Sequence, residues 1–236
     1  MDKPLNIFEE GQVLSFNKPL YWTSFDLVNK VRNLLRTNFG LKKIKVGHAG
    51  TLDPLASGLM IICTGRATKK IDEFRDLDKE YVATFTIGKT TPSFDLETET
   101  DNEYPTDHID EDLVRKVLAG FTGEQLQMPP MYSAKLLEGK RAYEFARQGV
   151  VKELNPVKVY FREIELVSCN IPEITVRLLC SKGTYIRSFA RDLGIALGSG
   201  ACLSALERTA IGRFNVKESF TIDSFQDYLK TINPDA

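Results

Sequence analysis

The stretch "KEYVATFTIG" sets Tyr81, Ala83, Phe85 and Ile87 in strict alternation with Val82, Thr84 and Thr86. A two-residue period does not fit a helix face, so this segment reads as a strand of a sheet with one side buried. Other segments offer partners for it. "QVLSFNKP" is a short strand ended by Pro19, and "GLMIICTG" is apolar on both faces, as an interior strand would be. Two more strands are expected at about 157–167 and 173–180. Between them lie helical patterns. Thr23 or Ser24 caps a helix through about Arg36, its apolar face built from Phe25, Val28, Val31 and Leu35. A second runs over about 110–119 on Leu113, Val117 and Leu118, and a third from about Thr184 to Leu197. The polar run from Asp95 to Asp112 is a loop. Strands and helices alternate irregularly, which favours an α+β fold over a doubly wound parallel sheet.

The net charge of −1 conceals a pattern. Residues 1–70 carry 11 Lys and Arg against 5 Asp and Glu, whereas residues 71–127 carry 5 against 15. Residues 128–220 return to 14 against 9. Two basic blocks around an acidic one suit a polyanion held on one face, and equally a solvated surface. No run of about 18 apolar residues exists, so no membrane-spanning helix is expected. The start, "MDKPLNIFEEGQ", lacks a secretory pattern. Cys63, Cys169, Cys180 and Cys202 show no zinc spacing and read as free thiols of a cytoplasmic protein.

Several chemistries are unsupported. There is no GxxxxGK[ST] loop, no GxGxxG after the first strand, no HExxH and no GxSxG. The only histidines are His48 and His108, and His108 lies in the acidic loop. What stands out is "GHAGTLDPLASG", where Asp53 sits among small residues with His48, Thr51 and Leu55 nearby. A lone carboxylate acts as nucleophile or base when it stays ionised away from bulk water, which calls for a cation beside it. Arg187, in "CSKGTYIRSFARDLG", could grip it with two hydrogen bonds, although spacing alone suits pairing with a surface acid better. Tyr81 and Tyr185 could be packing residues or stack on a nucleobase.

"GHAGTLDPLASGLMIICTGRATK" resembles the signature motif of the TruB-type pseudouridine synthases. The similarity continues in order through "NKPLYWTSFDLVNKVR", "KEYVATFTIGKTTPSFD", "MPPMYSAKLLEGKRAYEFARQG", "CSKGTYIRSFARDLG" and "ALERTAIGRF", covering roughly residues 11–214. The resemblance implies the pseudouridine synthase fold, a mixed, mainly antiparallel central sheet flanked by helices and RNA-binding loops. It implies isomerisation of uridine 55 in the T-loop of tRNA, with the T-stem and T-loop as partner and the target base flipped out. No cofactor, metal, membrane or obligate protein partner is implied. By the same resemblance Asp53 is the catalytic aspartate, Tyr81 stacks on the base and helps remove its C5 proton, and Arg187 pairs with Asp53. His48 would occupy the space the base leaves, and Tyr185 and Leu206 would line the pocket. Lys18 and Lys69 lie in matched motifs and are assigned to phosphate contact. The basic segment at about 128–150, with Lys135, Lys140, Arg141 and Arg147, would grip the RNA.

Two departures matter. The family's Thr-Asp-Thr-like run reads Thr91-Pro92-Ser93-Phe94 here, so Asp95 is given no catalytic role. The family's extra RNA-binding domain (PUA) has no counterpart, so residues 1–236 are expected to form a single catalytic domain. Two other readings stand beside the synthase: a tRNA chaperone of the same fold, and a carboxylate-using hydrolase of a small nucleotide. The latter leaves the basic, aromatic 128–148 segment unexplained.

Overall fold

A computed structural model describes residues 6–133, 136–137, 139–141, 144–145, 150 and 154–232. Backbone contacts group the chain into two compact units, Met1–Glu80 with Glu207–Ala236, and Tyr81–Leu206.

In the first unit β1 (Val13–Lys18) lies antiparallel to β3 (Ala56–Thr64), with Phe16 opposite Met60 and Lys18 opposite Gly58. β2 (Val46–His48) pairs with the far end of β3 and puts His48 opposite Ile62. The later half of β12 (Ala201–Ile211) also neighbours β3, and β13 (Phe214–Asn215) folds back on it. β3 is buried throughout except for the half-buried Ser57, the environment its apolar run requires. The helix α2 (Ser24–Phe39) begins in a capping box. Thr23 Oγ1 accepts from the Asp26 N–H, and the Asp26 carboxylate accepts from the Thr23 N–H. It ends at Gly40, whose left-handed φ of 65° closes the last turn.

The face that α2 buries differs from the sequence expectation. Leu27, Val28, Val31 and Leu35 are buried, but Phe25 is 64% exposed. At about 100° per residue Phe25 lies roughly 60° beyond the edge of the arc that the other four share. A helix the sequence reading did not name, α6 (Ile222–Ile232), brings in Phe225 and Leu229. The Phe225 ring packs edge-on against Phe16 at 5.0 Å and Phe8 at 6.4 Å. The short α1 (Ile7–Glu10) carries Phe8.

β4 (Lys79–Ile87) and β12 run through both units. In the second unit the strand order is β12-β4-β11-β10-β7. β4 buries alternate residues as its sequence pattern requires. β10 (Val157–Asn170) and β11 (Glu173–Cys180) form an antiparallel pair, and β7 (Gly123–Gln127) lines the free edge of β10. β5 (Lys89–Thr90) and β6 (Asn102–Glu103) brace the polar loop. β8 (Leu136–Leu137) and β9 (Lys140–Arg141) form a separate pair, while Lys135 and Arg147 lie outside the described residues.

The helix α3 (Ile71–Arg75) belongs to the first unit, and α4 (Glu111–Ala119) and α5 (Ile186–Ala196) to the second. α4 buries Val114 and Leu118, leaving Leu113 and Val117 half-buried. Phe189 of α5 meets Phe85, Phe161 and Phe121 with ring centroids at 5.6, 5.2 and 5.1 Å. These contacts seat α5 on the sheet. No described helix is long and apolar enough to cross a membrane.

One glycine controls how closely two strands approach. Gly58 has φ +109°, and a Cβ there would lie 2.4 Å from the Arg208 carbonyl oxygen. Gly58→Ala should therefore cost about 3 kcal/mol or more, combining left-handed strain with a backbone clash. Gly40→Ala, at the milder left-handed φ of +65° and with no atom within 4 Å, should cost only about 1 kcal/mol. Denaturant midpoints of the two variants check this contrast.

Candidate active site

The loop between β2 and β3 carries Asp53, and nearly every backbone group around it is engaged. Ser24, the first residue of α2, holds Leu52 at both ends. Its hydroxyl donates to the Leu52 carbonyl at 2.9 Å and accepts from the Leu52 N–H at 2.8 Å. The Tyr21 N–H donates to the Pro54 carbonyl at 2.7 Å, and the Ala56 N–H to the Asp53 carbonyl at 3.1 Å. From β12 comes Arg208, only 2% exposed. Its Nε donates to the Leu59 carbonyl at 2.7 Å, and its two terminal nitrogens to those of Gly50 and Thr51 at 3.3 and 3.4 Å. A loop tied at residues 50, 51, 52, 53 and 54 is held in one conformation before any ligand arrives.

Asp53 itself is half-buried. Beneath it Lys18 is wholly inaccessible, its ammonium donating to the carbonyls of Pro19 at 2.9 Å and Trp22 at 2.7 Å. Burial is the main influence on this lysine and pulls its pKa down to about 8. The negative charge of Asp53 opposes that shift, and the positive charge of Arg208 adds to it. Asp53 therefore lies within electrostatic reach of a buried cation, which favours its ionised form. A fully buried ammonium does not reach a phosphate in this geometry, so the phosphate contact assigned to Lys18 gives way to a place under the loop. Lys69, in the exposed 3₁₀ turn Gly65–Lys70, remains free to meet one.

His48 ends β2 and is half-buried. Its pKa is lowered, first by burial and next opposed by the Gly50 carbonyl, with Arg208 repelling the charged ring. Nδ1 is buried with no hydrogen-bond partner among the described residues. Near pH 7 the neutral ring is favoured.

In the second unit Tyr81 lies on the buried face of β4, 8% exposed. Tyr185 caps α5 through a reciprocal pair. Its N–H donates to Gln127 Oε1 at 2.8 Å, and its carbonyl accepts from Gln127 Nε2 at 3.1 Å. Ser188 Oγ adds a bond to the Met128 carbonyl at 2.7 Å. Gln127, buried at the end of β7, thus sets the first turn of the helix that bears Arg187. Leu206 is half-buried in β12. His108 is structural, its Nε2 lying 3.0 Å from the Leu197 carbonyl.

Arg187 has a carboxylate partner that the sequence reading left without a role. Its Nε lies 3.6 Å from Asp95 Oδ2, with both side chains 7% exposed or less. Asp95 is fixed by its own neighbours. Its carboxylate accepts from the Glu97 N–H at 3.0 Å, and its carbonyl from the hydroxyls of Thr91 and Ser93 at 2.6 and 3.2 Å. The run Thr91-Pro92-Ser93-Phe94 therefore still supplies the hydroxyls that shape this turn. Phe94 adopts φ +63°, and Arg191 stands over its ring at 5.2 Å. Gln127 and Arg208, which order the candidate site, were not named by the sequence reading, while Ser24 entered it only as a possible helix cap and Asp95 without a role. Arg208 alone carried a signal, a charged residue inside the strand pattern "ALERTAIGRF".

Solved structures of similar fold include H/ACA ribonucleoprotein complexes. The archaeal box H/ACA sRNP Nop10–Cbf5 complex matches with TM-score 0.68 and 26% identity, over 94% of this chain and 55% of that one. An H/ACA RNP bound to a substrate RNA containing 2′-deoxyuridine matches with TM-score 0.70 and 26% identity, over 99% and 58%. This chain thus spans a little over half of those chains. The molecule has the pseudouridine synthase fold, the class expected from its sequence. The TruB family pseudouridylate synthase N-terminal domain matches residues 36–186, and the tRNA pseudouridylate synthase B C-terminal domain matches residues 187–235. The tRNA pseudouridine synthase B of Parabacteroides distasonis is 56% identical over 223 residues, 94% of this chain and 95% of that protein. That of Flavobacterium johnsoniae is 51% identical over 222 residues, 94% and 97%. The chain belongs to the TruB family of pseudouridylate synthases.

Two outcomes follow from the buried charges. Lys18 titrates near 8 in the fold and near 10.5 when unfolded, so between these values the unfolded chain binds more protons. Relative to Lys18→Met, the wild type should gain stability as pH rises from about 8 towards 10.5, as urea midpoints across that range would register. Arg187→Ala leaves the Asp95 carboxylate buried and unpaired, a loss of about 3–5 kcal/mol. Equal unfolding free energies of variant and wild type would show that the pair does not support the fold.

Proposed function

We propose that this chain converts uridine 55 in the T-loop of tRNA into pseudouridine, without a cofactor or metal. The observation that carries the reading is Asp53, half-buried on a loop tied down by Ser24, Tyr21 and Arg208 and within reach of the buried Lys18 charge. The reaction breaks the bond between ribose C1′ and uracil N1 and forms one between C1′ and C5. C5 loses its proton and N1 gains one, so atoms balance within the substrate and water. Asp53 acts either by adding to the sugar or base, or by removing a ribose proton to begin cleavage.

The other roles rest on the family resemblance. Tyr81 stacks on the uracil and assists removal of the C5 proton. Arg187 supports Asp53 in its ionised form, in addition to its ion pair with Asp95. His48 takes up space beside the departed base, and Tyr185 and Leu206 line the pocket. Lys69, together with the basic 128–150 segment, meets the phosphates of the T-stem and T-loop. Extruding a base from a folded loop costs a few kcal/mol, which such phosphate contacts offset. Residues 1–236 act as one catalytic domain in the cytoplasm, where tRNA is the substrate.

Tritium release from a T-arm RNA labelled at uridine C5 tests the assignment. Wild type should release tritium from the T-loop uridine, and Asp53→Asn should not, while still binding the RNA. Turnover by purified Asp53→Asn would remove Asp53 from the chemistry. Tight binding without release by the wild type would point to the chaperone reading.

A further inference from the structure

Beside the Asp53 loop stands a side chain that the roles above leave unused. Tyr21 is 74% exposed and has φ +66°. A tyrosine in the left-handed region costs about 1 kcal/mol or more relative to glycine, and such strain persists only where the surroundings impose it. The imposing contact is the Tyr21 N–H bond to the carbonyl of Pro54, the residue after Asp53. Glycine would make the same turn and the same backbone bond without strain. The aromatic ring is therefore not there for the turn, and at this exposure it is not there for the core.

The ring does not stand alone. Leu20 is 44% exposed and Phe25 64%, so three large apolar side chains face solvent within six residues, on the segment bonded to the Asp53 loop. The nearest acid in the chain, Asp26, has its carboxylate committed to the Thr23 N–H and hydroxyl. The first 70 residues carry a basic excess, 11 Lys and Arg against 5 Asp and Glu, which favours a polyanion over an apolar protein face. Nucleobases combine a flat apolar face with an anionic backbone, and stacking on an exposed ring accepts any base.

We propose that Tyr21 is a substrate-contact residue, its ring a platform for an unpaired nucleobase of the RNA close to the reacting uridine. The inference rests on the reading of Asp53 as the reacting group. Leu20 and Phe25 extend the platform. The strained backbone fixes the ring relative to the Asp53 loop, so the flanking base is positioned together with the chemistry.

The test uses the full chain and a fluorescently labelled T-arm RNA, with Kd from anisotropy and thermal midpoint as a control for folding. Tyr21→Gly suits φ +66° and removes only an exposed ring, so its midpoint should not fall. Its Kd should rise about tenfold, the scale of one lost base stack. Tyr21→Asn, which also tolerates the left-handed region, should behave likewise, and Tyr21→Phe should bind as the wild type does. Unchanged affinity in both Tyr21→Gly and Tyr21→Asn would overturn the proposal and leave the patch to a protein partner or to solvent. Tritium release by the wild type, run in parallel, judges the Asp53 reading separately. Its absence would sink that reading, while the affinity series still decides Tyr21.

Discussion

The Arg208 guanidinium is the interaction on which the first unit depends. A cation this buried persists only if its donors are satisfied, and here they are met by main-chain carbonyls of β3 and of the loop before it. Because the acceptors are backbone, the loop's path is set by the arginine rather than by loop composition. Gly58 makes this possible. Without a Cβ, β3 approaches the Arg208 backbone closely enough for the side chain to run along the strand to Gly50 and Thr51.

The same economy recurs around the other buried charges. Lys18 spends its ammonium on two carbonyls at the entrance to α2, and Ser24, the first residue of that helix, binds Leu52 from both sides. Strand end, helix start and loop become one hydrogen-bonded assembly with Asp53 at its half-open edge. In the second unit Gln127 plays a comparable part for the first turn of α5, and Asp95 for Arg187. The candidate site residues are in each case held by neighbours that have no part in the proposed chemistry. A carboxylate whose loop is fixed beforehand loses little freedom when a substrate arrives.

Much of this was legible from residue order. Alternation in β4, the apolar run of β3 and the Thr23 cap of α2 were read with boundaries close to those observed, because each depends on local periodicity or capping. Asp53 stands out in the sequence as a candidate, since a lone acid among small residues with His48 nearby is a strong local signal. Phe25 was misplaced because a helix pattern leaves the edge of the buried arc undecided until the neighbours are known. α6 was missed although Ile222, Phe225, Leu229 and Ile232 recur at helical spacing and Thr221 and Ser224 cap each other.

The sequence by itself determined the α+β class and the family, and marked Asp53 as the candidate for the chemistry, because these rest on periodicity and on ordered motifs along the chain. Tertiary structure alone decided that Lys18 lies beneath the loop rather than facing a phosphate, that Arg208 is buried on carbonyls, and that Arg187 meets Asp95. The partners of Arg187 and Arg208 lie about 90 to 160 residues away in the chain, and whether a long cationic side chain, Lys18 included, ends in water or on a main-chain oxygen is settled by packing. Local sequence states which charges exist; only the folded chain states which of them must be satisfied away from water.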